Sequence, residues 1–322
     1  MFSIVSVSWL LVFLFLVELL YFKIADHYNI IDKPNSRSSH TEITIRGGGI
    51  LFPIGALTFL ILHEFQHPYF IAGLVVISLI SFLDDILTLN NKIRLLLHLF
   101  SVVLMIVEWG LNGFPWFLFP LLIIVVIGVI NAYNFMDGIN GITGMYSLVA
   151  VGTLMYINRT VPFTNAELLV FTCLSILVFG IFNFRKKAKC FAGDVGSVSM
   201  AFILTFLIGK LIVYTHNWTY ILLLLIYGLD AAITIFFRLI RRESIYEAHR
   251  SHFYQYLANE RKISHLLISA GYATCQLGIN ILVVKYPSIP VVGLMIVVFL
   301  SAVNFIALRW FLEGKDRLLK SN

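Results

Sequence analysis

The chain carries only 17 acidic residues in 322, and those whose type and spacing suit chemistry fall in three short stretches. The first is Asp84-Asp85, at the end of an apolar run. Adjacent carboxylates repel one another and are costly near lipid. They persist where a cation or a basic group neutralises them, or as a helix end solvated by water. Lys92 and Arg94 follow within a few turns and are candidates for that neutralisation. The second stretch, Asn131–Gly144, holds Asp137, the carboxamides Asn131, Asn134 and Asn140, and glycines at 138, 141 and 144. Without a Cβ, glycine lets the backbone turn tightly or approach a ligand; a helix connection capped by Asn and Gly is the plain alternative. The third, Phe191-Ala192-Gly193-Asp194-Val195-Gly196-Ser197, puts a carboxylate between glycines at a helix start. Free N–H groups and a positive dipole end suit phosphate. Asp194 is placed either to cap that helix or to bind Mg2+ on a pyrophosphate.

Basic residues accompany these acids. Arg185, Lys186, Lys187 and Lys189 precede the third stretch and suit an anionic lipid or nucleotide, although membrane topology alone also places such residues. In His249-Arg250-Ser251-His252 the imidazoles are three residues apart and share a face if helical. With no cysteine or third histidine nearby, phosphate contact fits them better than zinc. Upstream, Asp32 to His40 precedes Arg46-Gly47-Gly48-Gly49. Pro34 and the glycines mark a loop of unusual backbone, and Arg37 and His40 add phosphate-compatible donors.

A membrane bundle must position all of this. The chain is 59% hydrophobic and 12% charged, with a mean hydropathy of +0.91, against about 25% charged in soluble domains. Cys173, Cys190 and Cys275 are too few and scattered for a disulfide framework. Apolar runs lie at about 2–22, 47–62, 68–83, 93–110, 116–133, 143–158, 166–183, 196–214, 218–238, 264–284 and 289–311, near the roughly 17–25 residues of a spanning helix. The first has no preceding basic residue and no small-residue cleavage pattern, so a retained helix is expected. The expectation is one all-α domain over residues 1–322, a polytopic membrane helix bundle of about eleven transmembrane helices. Basic residues stay in cytoplasmic loops. With the N-terminus outside, inside segments at about 23–47, 84–94, 131–143, 184–195, 238–263 and 309–322 hold 20 of the 23 Lys and Arg. That orientation makes the C-terminus cytoplasmic and gathers every stretch above on the cytoplasmic face.

Within the spans, Lys210 and Asp230 are the exceptional charges; such groups usually face a bundle interior with a partner. Asp230, two turns before Arg238, is expected to brace the inside face, whereas Glu18 lies near enough to the inside end to snorkel. A transporter would use such charges, but it predicts discontinuous helices and repeat symmetry that the sequence does not show. An intramembrane Mg2+-dependent prenyltransferase would need two Asp-rich motifs, and only Asp84-Asp85 is paired.

Taken in order, the blocks resemble the polyprenyl-phosphate N-acetylhexosamine-1-phosphate transferases. The likeness covers about residues 30–257: Asp32, Pro34, Arg37, His40 and Gly47-Gly48; Asp84-Asp85 with Lys92 and Arg94; Asn131, Asn134 and Asp137-Gly138; Phe191, Gly193-Asp194 and Gly196-Ser197; and Ala248 to Gln255. The last two spans carry no motif. Eleven spans with an outside N-terminus look more like the WecA, WbpL and TarO branch than the ten-span MraY branch.

The resemblance implies transfer of a sugar 1-phosphate from a UDP-N-acetylhexosamine to polyprenyl (undecaprenyl) phosphate, releasing UMP. It implies a bacterial inner membrane, a site on the cytoplasmic face, a lipid-linked surface glycan as product, no nucleic acid, and a chain compatible with a homodimer. Residue by residue, it implies Mg2+ (or Mn2+) on Asp194 and a catalytic set of Asp84, Asp85, Asp137 and Asp194, with Asp84 as base or orienting group for the lipid phosphate. It places Asn134, Asn140 and Asn183 with the substrate-binding residues, Phe191 on uracil, His249, Arg250 and His252 at sugar or phosphates, and Lys92, Arg37 and His40 at anionic groups. Three positions depart from the family: Asn140 stands where an Asp is usual, Ile45 where Pro is frequent, and the histidine loop has fewer histidines. As that loop is expected to read the sugar, UDP-GlcNAc or a 6-deoxy-N-acetylhexosamine relative is the expected donor.

Overall fold

The computed structural model describes residues 4–32, 43–87, 89–111, 113–244, 250–287 and 289–320. Arg37, His40 and His249 lie outside these described residues. The helices in chain order are α1 Ile4–His27, α2 Leu51–Leu62, α3 Pro68–Leu87, α4 Asn91–Trp109, α5 Phe119–Met136, α6 Ile142–Asn158, α7 Ala166–Asn183, α8 Gly193–Thr215, α9 Leu225–Ile240, α10 Phe253–Asn259, α11 His265–Lys285, α12 Val291–Glu313 and α13 Lys315–Leu319. Each apolar run thus becomes a helix, the form in which a lipid-embedded backbone satisfies its own hydrogen bonds. Among the described residues, eight segments are long and apolar enough to cross a membrane; α2 and α6 are shorter, and α4 carries Lys92, Arg94 and Glu108. Local chemistry sets the ends. Asn90 caps α4 by accepting from Lys92 N–H at 2.9 Å, and Asn165 caps α7 by accepting from Glu167 N–H at 2.9 Å.

One run is broken, contrary to the expectation of continuous helices. Trp218–Leu224 is a 3-10 helix before α9 begins, longer than the few residues usual for that form. Gln276 of α11 compensates the backbone at the junction, donating to the Leu222 carbonyl at 2.8 Å and accepting from Ile226 N–H at 3.0 Å. Neighbouring helices relieve broken helices in this way.

The core centres on α8, which packs against α2, α3, α4, α5 and α6, whereas α12 lies at the edge with a single buried residue. A short antiparallel pair, β1 Ile31–Asp32 and β2 Thr44–Ile45, sets Ile31 opposite Ile45. Ile45 also bridges Cys190, tying the N-terminal loop to the approach of α8. Here the triple glycine has its reason: a Cβ on Gly49 would collide with the Gly196 backbone, and one on Gly196 would sit 2.7 Å from the Gly49 Cα. Glu18 does not snorkel. It is fully buried beneath this loop, with the Cys190 thiol 3.5 Å from its Oε1.

Candidate active site

The glycine loop, the end of α3, the corner between α5 and α6, and the start of α8 converge at one end of the bundle. The organising feature is the first turn of α8. Asp85 reaches across from α3, and its carboxylate accepts from Asp194 N–H at 2.9 Å and Val195 N–H at 3.0 Å. Asp137, at the end of α5, takes the N–H of Gly193 and the Thr143 hydroxyl, the latter at 2.5 Å. The first-turn N–H groups therefore point at protein carboxylates. This corrects the expectation that they are open for phosphate, since an N–H already answered by a buried acid offers nothing to an anion. Gly193 has φ +70°, and a Cβ there would meet the Asp85 carboxylate at 2.7 Å, so only glycine suits the position.

Two arginines lace the acids together. Arg94 holds Asp84 at 2.5 Å and comes within 3.9 Å of Asp194. Arg46, at the entrance to the glycine loop, holds Asp85 at 2.6 Å and Asp194 at 3.1 Å. Asp84 also accepts from Leu89 N–H at 2.7 Å. Three aspartates against two guanidiniums leave an acid in excess, and Asp194, 20% exposed, is the one that faces outward, while the Asp85 carboxylate is fully enclosed. Burial pushes the half-buried Asp137 carboxyl up to about 7; Asp194 adds to the rise, while the Thr143 hydroxyl, Arg46 and the Gly193 N–H oppose it.

Residues 67–215 match the glycosyl transferase family 4 model. That stretch contains Asp84, Asp85, Arg94, Asp137 and Asp194, the acids and one of the arginines just described. It supports a transferase in general and carries no particular branch. No curated protein matches the chain.

Against this transferase frame, the remaining expected residues divide. Asn134 donates to Ser197 Oγ at 3.1 Å, bracing the first turns of α8. Asn183 is buried, with both ends of its amide on the backbone: it accepts from Gly141 N–H at 2.7 Å and donates to the Cys190 carbonyl at 2.8 Å. Buried Asn140 donates to the carbonyls of Arg185 and Lys186 at 2.9 and 3.1 Å. Asn140 and Asn183 thus brace the backbone where these chain segments meet. Phe191 is half-exposed, its backbone held by Ile45 and Gly48 at the entry to α8. Lys92 is exposed, and Arg94 answers Asp84 in its place. His252 is buried, its Nδ1 3.2 Å from Asp230, and Arg250 is half-exposed. Asp230 is the expected brace, though its partners are His252, Thr234 and Tyr272, whereas Arg238 pairs with Glu243.

Arg46 was absent from the expected site set, Arg94 was expected only as a candidate to neutralise Asp84-Asp85, and Thr143 was not singled out. Arg46 carried a signal in its place next to three glycines; Arg94 carried one in following Asp84 by ten residues. Among the described residues, no three acidic, His or Cys side chains gather as a metal cage. Mg2+ is commonly held by only one or two carboxylates, with phosphate oxygens and water completing its shell. Partly exposed Asp194 and neighbouring Asp84, both within 4 Å of Arg94, provide that kind of hard oxygen donor.

Proposed function

We propose that this chain is a Mg2+-dependent phosphoglycosyl transferase, moving N-acetylhexosamine 1-phosphate from a UDP-N-acetylhexosamine to polyprenyl phosphate and releasing UMP. The observation that carries the proposal is the excess-acid cluster laced by two arginines at the start of α8, with its acids and Arg94 inside the stretch that matches the transferase family. The reaction joins two anionic substrates, so positioning and charge compensation are what a protein must supply. An oxygen of the lipid phosphate attacks the β-phosphorus of the sugar nucleotide. The bond to the bridging oxygen breaks, and UMP leaves with the electron pair. Arg46 and Arg94 offset phosphate charge, and Asp84, fixed by Arg94 and Leu89 N–H, orients the lipid phosphate. Asp85 and Asp137 hold the first turn of α8 and so aim Asp194. Mg2+, when held by Asp194, supplies Lewis-acid stabilisation of the diphosphate. Phe191 stacks on the uracil.

The rest of the reading follows the same logic: eleven spans, N-terminus outside, and a site on the cytoplasmic face of a bacterial inner membrane where the basic loops lie. At the other end of α8, a mostly apolar cavity of about 690 Å³ lined by Trp109, Val126, Val129, Ile208, Trp218 and Gly228 suits the distal part of an isoprenoid tail. The deciding experiment is an exchange assay in detergent with labelled UMP, UDP-GlcNAc and polyprenyl phosphate, with Mg2+ or EDTA. Metal- and lipid-dependent incorporation of label into the sugar nucleotide is the expected result. Activity only with another UDP-N-acetyl sugar moves the specificity and keeps the chemistry; silence with all of them sinks the proposal.

A further inference from the structure

Of the 23 residues of α12, Arg309 alone is buried. A guanidinium withdrawn from solvent is costly unless its charge and donors are answered, and these are. Nε and Nη2 fork onto Glu313 at 2.5 and 3.3 Å, Nη1 donates to Thr234 Oγ1 at 2.8 Å, and Nη2 donates to the Ser251 carbonyl at 2.8 Å. Its Cζ lies 5.5 Å from the centre of the Phe237 ring. Glu313 is held from the other side by Arg317 at 3.0 Å.

Two of those contacts lead to the histidine loop. Ser251 directly precedes His252. Thr234 donates to Asp230 at 3.1 Å, and Asp230 meets His252 Nδ1 at 3.2 Å, Phe253 N–H at 3.1 Å and the Tyr272 hydroxyl at 2.5 Å. Buried Tyr254 then donates to the Phe135 carbonyl at 2.9 Å, and its hydroxyl fills the space a Cβ on Gly138 would need. The hydrogen bonds thus run from an edge helix to the residues flanking Asp137. They share no residue with the Asp84–Arg94 side of the site.

We propose that Arg309 is a positioning residue for the sugar nucleotide: it holds the turn from Arg250 to Tyr254 against the Phe135–Gly138 corner and so sets where half-exposed Arg250 meets the donor. This rests on the transferase reading above. Three acceptors in three directions require the planar fork of arginine, which a lysine ammonium does not reproduce.

The test uses the full chain in detergent, with Arg309→Lys and with Thr234→Val, which cuts the link to Asp230 while keeping both charges. UDP-GlcNAc and related UDP-N-acetyl sugars are titrated calorimetrically, KM is measured separately for donor and polyprenyl phosphate, and thermal midpoints report folding. For Arg309→Lys, donor Kd and KM rise about tenfold, as expected for a lost charged hydrogen bond, while KM for the lipid stays within about twofold; Thr234→Val gives the same split more weakly. Folded variants whose donor constants match wild type, or whose donor and lipid constants rise together, overturn the role of Arg309. Should Arg309→Lys fail to fold, Thr234→Val decides alone. Wild-type protein that binds no UDP-sugar sinks the transferase reading, and this role with it.

Discussion

The two ends of α8 are built from similar parts and come to opposite states. At the Gly193 end, Asp85 and Asp137 take helix N–H groups; at the far end of the bundle, Glu108 does the same for Tyr69 and Phe70 at the start of α3, at 2.9 and 3.3 Å. There Lys210 of α8 lies 2.8 Å from His67 Nε2, and His67 Nδ1 lies 3.0 Å from Glu108. An ammonium only donates, so Nε2 accepts and Nδ1 carries the proton toward Glu108. Burial and Lys210 hold His67 below its usual value. One cation and one anion close on each other through an imidazole, and nothing is left over. At the Gly193 end three aspartates meet two arginines, and Asp194 stays partly exposed. Stability needs only that buried charge be answered; surplus, accessible acid is what binding a cation or a phosphate–metal pair needs.

The sharpest way to break this contrast is Asp194→Asn. Turnover in the exchange assay is expected to fall by about 10³-fold or more, on the scale of losing a main electrostatic contact in a transition state, with a monodisperse, folded protein by size exclusion. Near-normal Mg2+-dependent activity would falsify the assignment of the metal to Asp194. Next, Arg46→Met leaves the enclosed Asp85 without its cation, and the expected cost in stability is about 3–5 kcal/mol, read from denaturant or thermal unfolding. The matching change at the far end, Lys210→Met, leaves Glu108 with its two N–H donors. It is expected to cost about 1 kcal/mol and to spare exchange activity. Equal losses from the two would remove the distinction between an open and a closed end.

A smaller effect is expected at Phe191. Phe191→Ala should weaken UMP and UDP-sugar binding by about 1–3 kcal/mol, as base–aromatic stacking does elsewhere, leaving stability alone; unchanged affinity in a titration would take the ring off the uracil. The smallest is a slope. Asp137 titrates near 7 in the folded chain against 3.8 when unfolded, so between those values the folded state keeps a proton that the unfolded state has lost. The stability it contributes is full below pH 3.8 and declines as pH rises to about 7, at up to about 1.4 kcal/mol per pH unit. Asp137→Asn should flatten that decline, so its thermal midpoint gains on wild type between pH 5 and 8 (an interval of about three units). A constant difference over that range would mean that Asp137 does not hold a proton there.

Some of this is legible along the chain. The Asp84-Asp85 pair asks for a cation, and Arg94 supplies it to Asp84. The cation on Asp85 is not legible, because Arg46 comes from a glycine loop whose approach depends on contact with Gly196. The amides are ambiguous by type: a carboxamide suits a ligand, and a buried one equally satisfies a backbone that has left its helix, as Asn140 and Asn183 do. His63-Glu64-Phe65-Gln66-His67 has the spacing of a zinc-hydrolase helix. It forms a turn, and its imidazoles go to separate acids, His63 to Glu167 at 2.6 Å and His67 to Glu108 at 3.0 Å. The two spans without a motif hold Tyr272, Gln276 and Arg309, which brace the histidine loop and the broken run before α9.

What the sequence determined by itself is the set of long apolar helices, save the broken run before α9, and the inventory of charges. A continuous apolar run has one good conformation away from water, and that choice is local. What only the tertiary structure decided is which acid remains open. Asp85 and Asp194 differ little as side chains, but Asp85 finds N–H groups 109 and 110 residues away and is enclosed, while Asp194 meets Arg46 across 148 residues and keeps a face outward. Lone pairs are answered by whatever packing brings within about 3 Å, and no reading along the chain sees that distance.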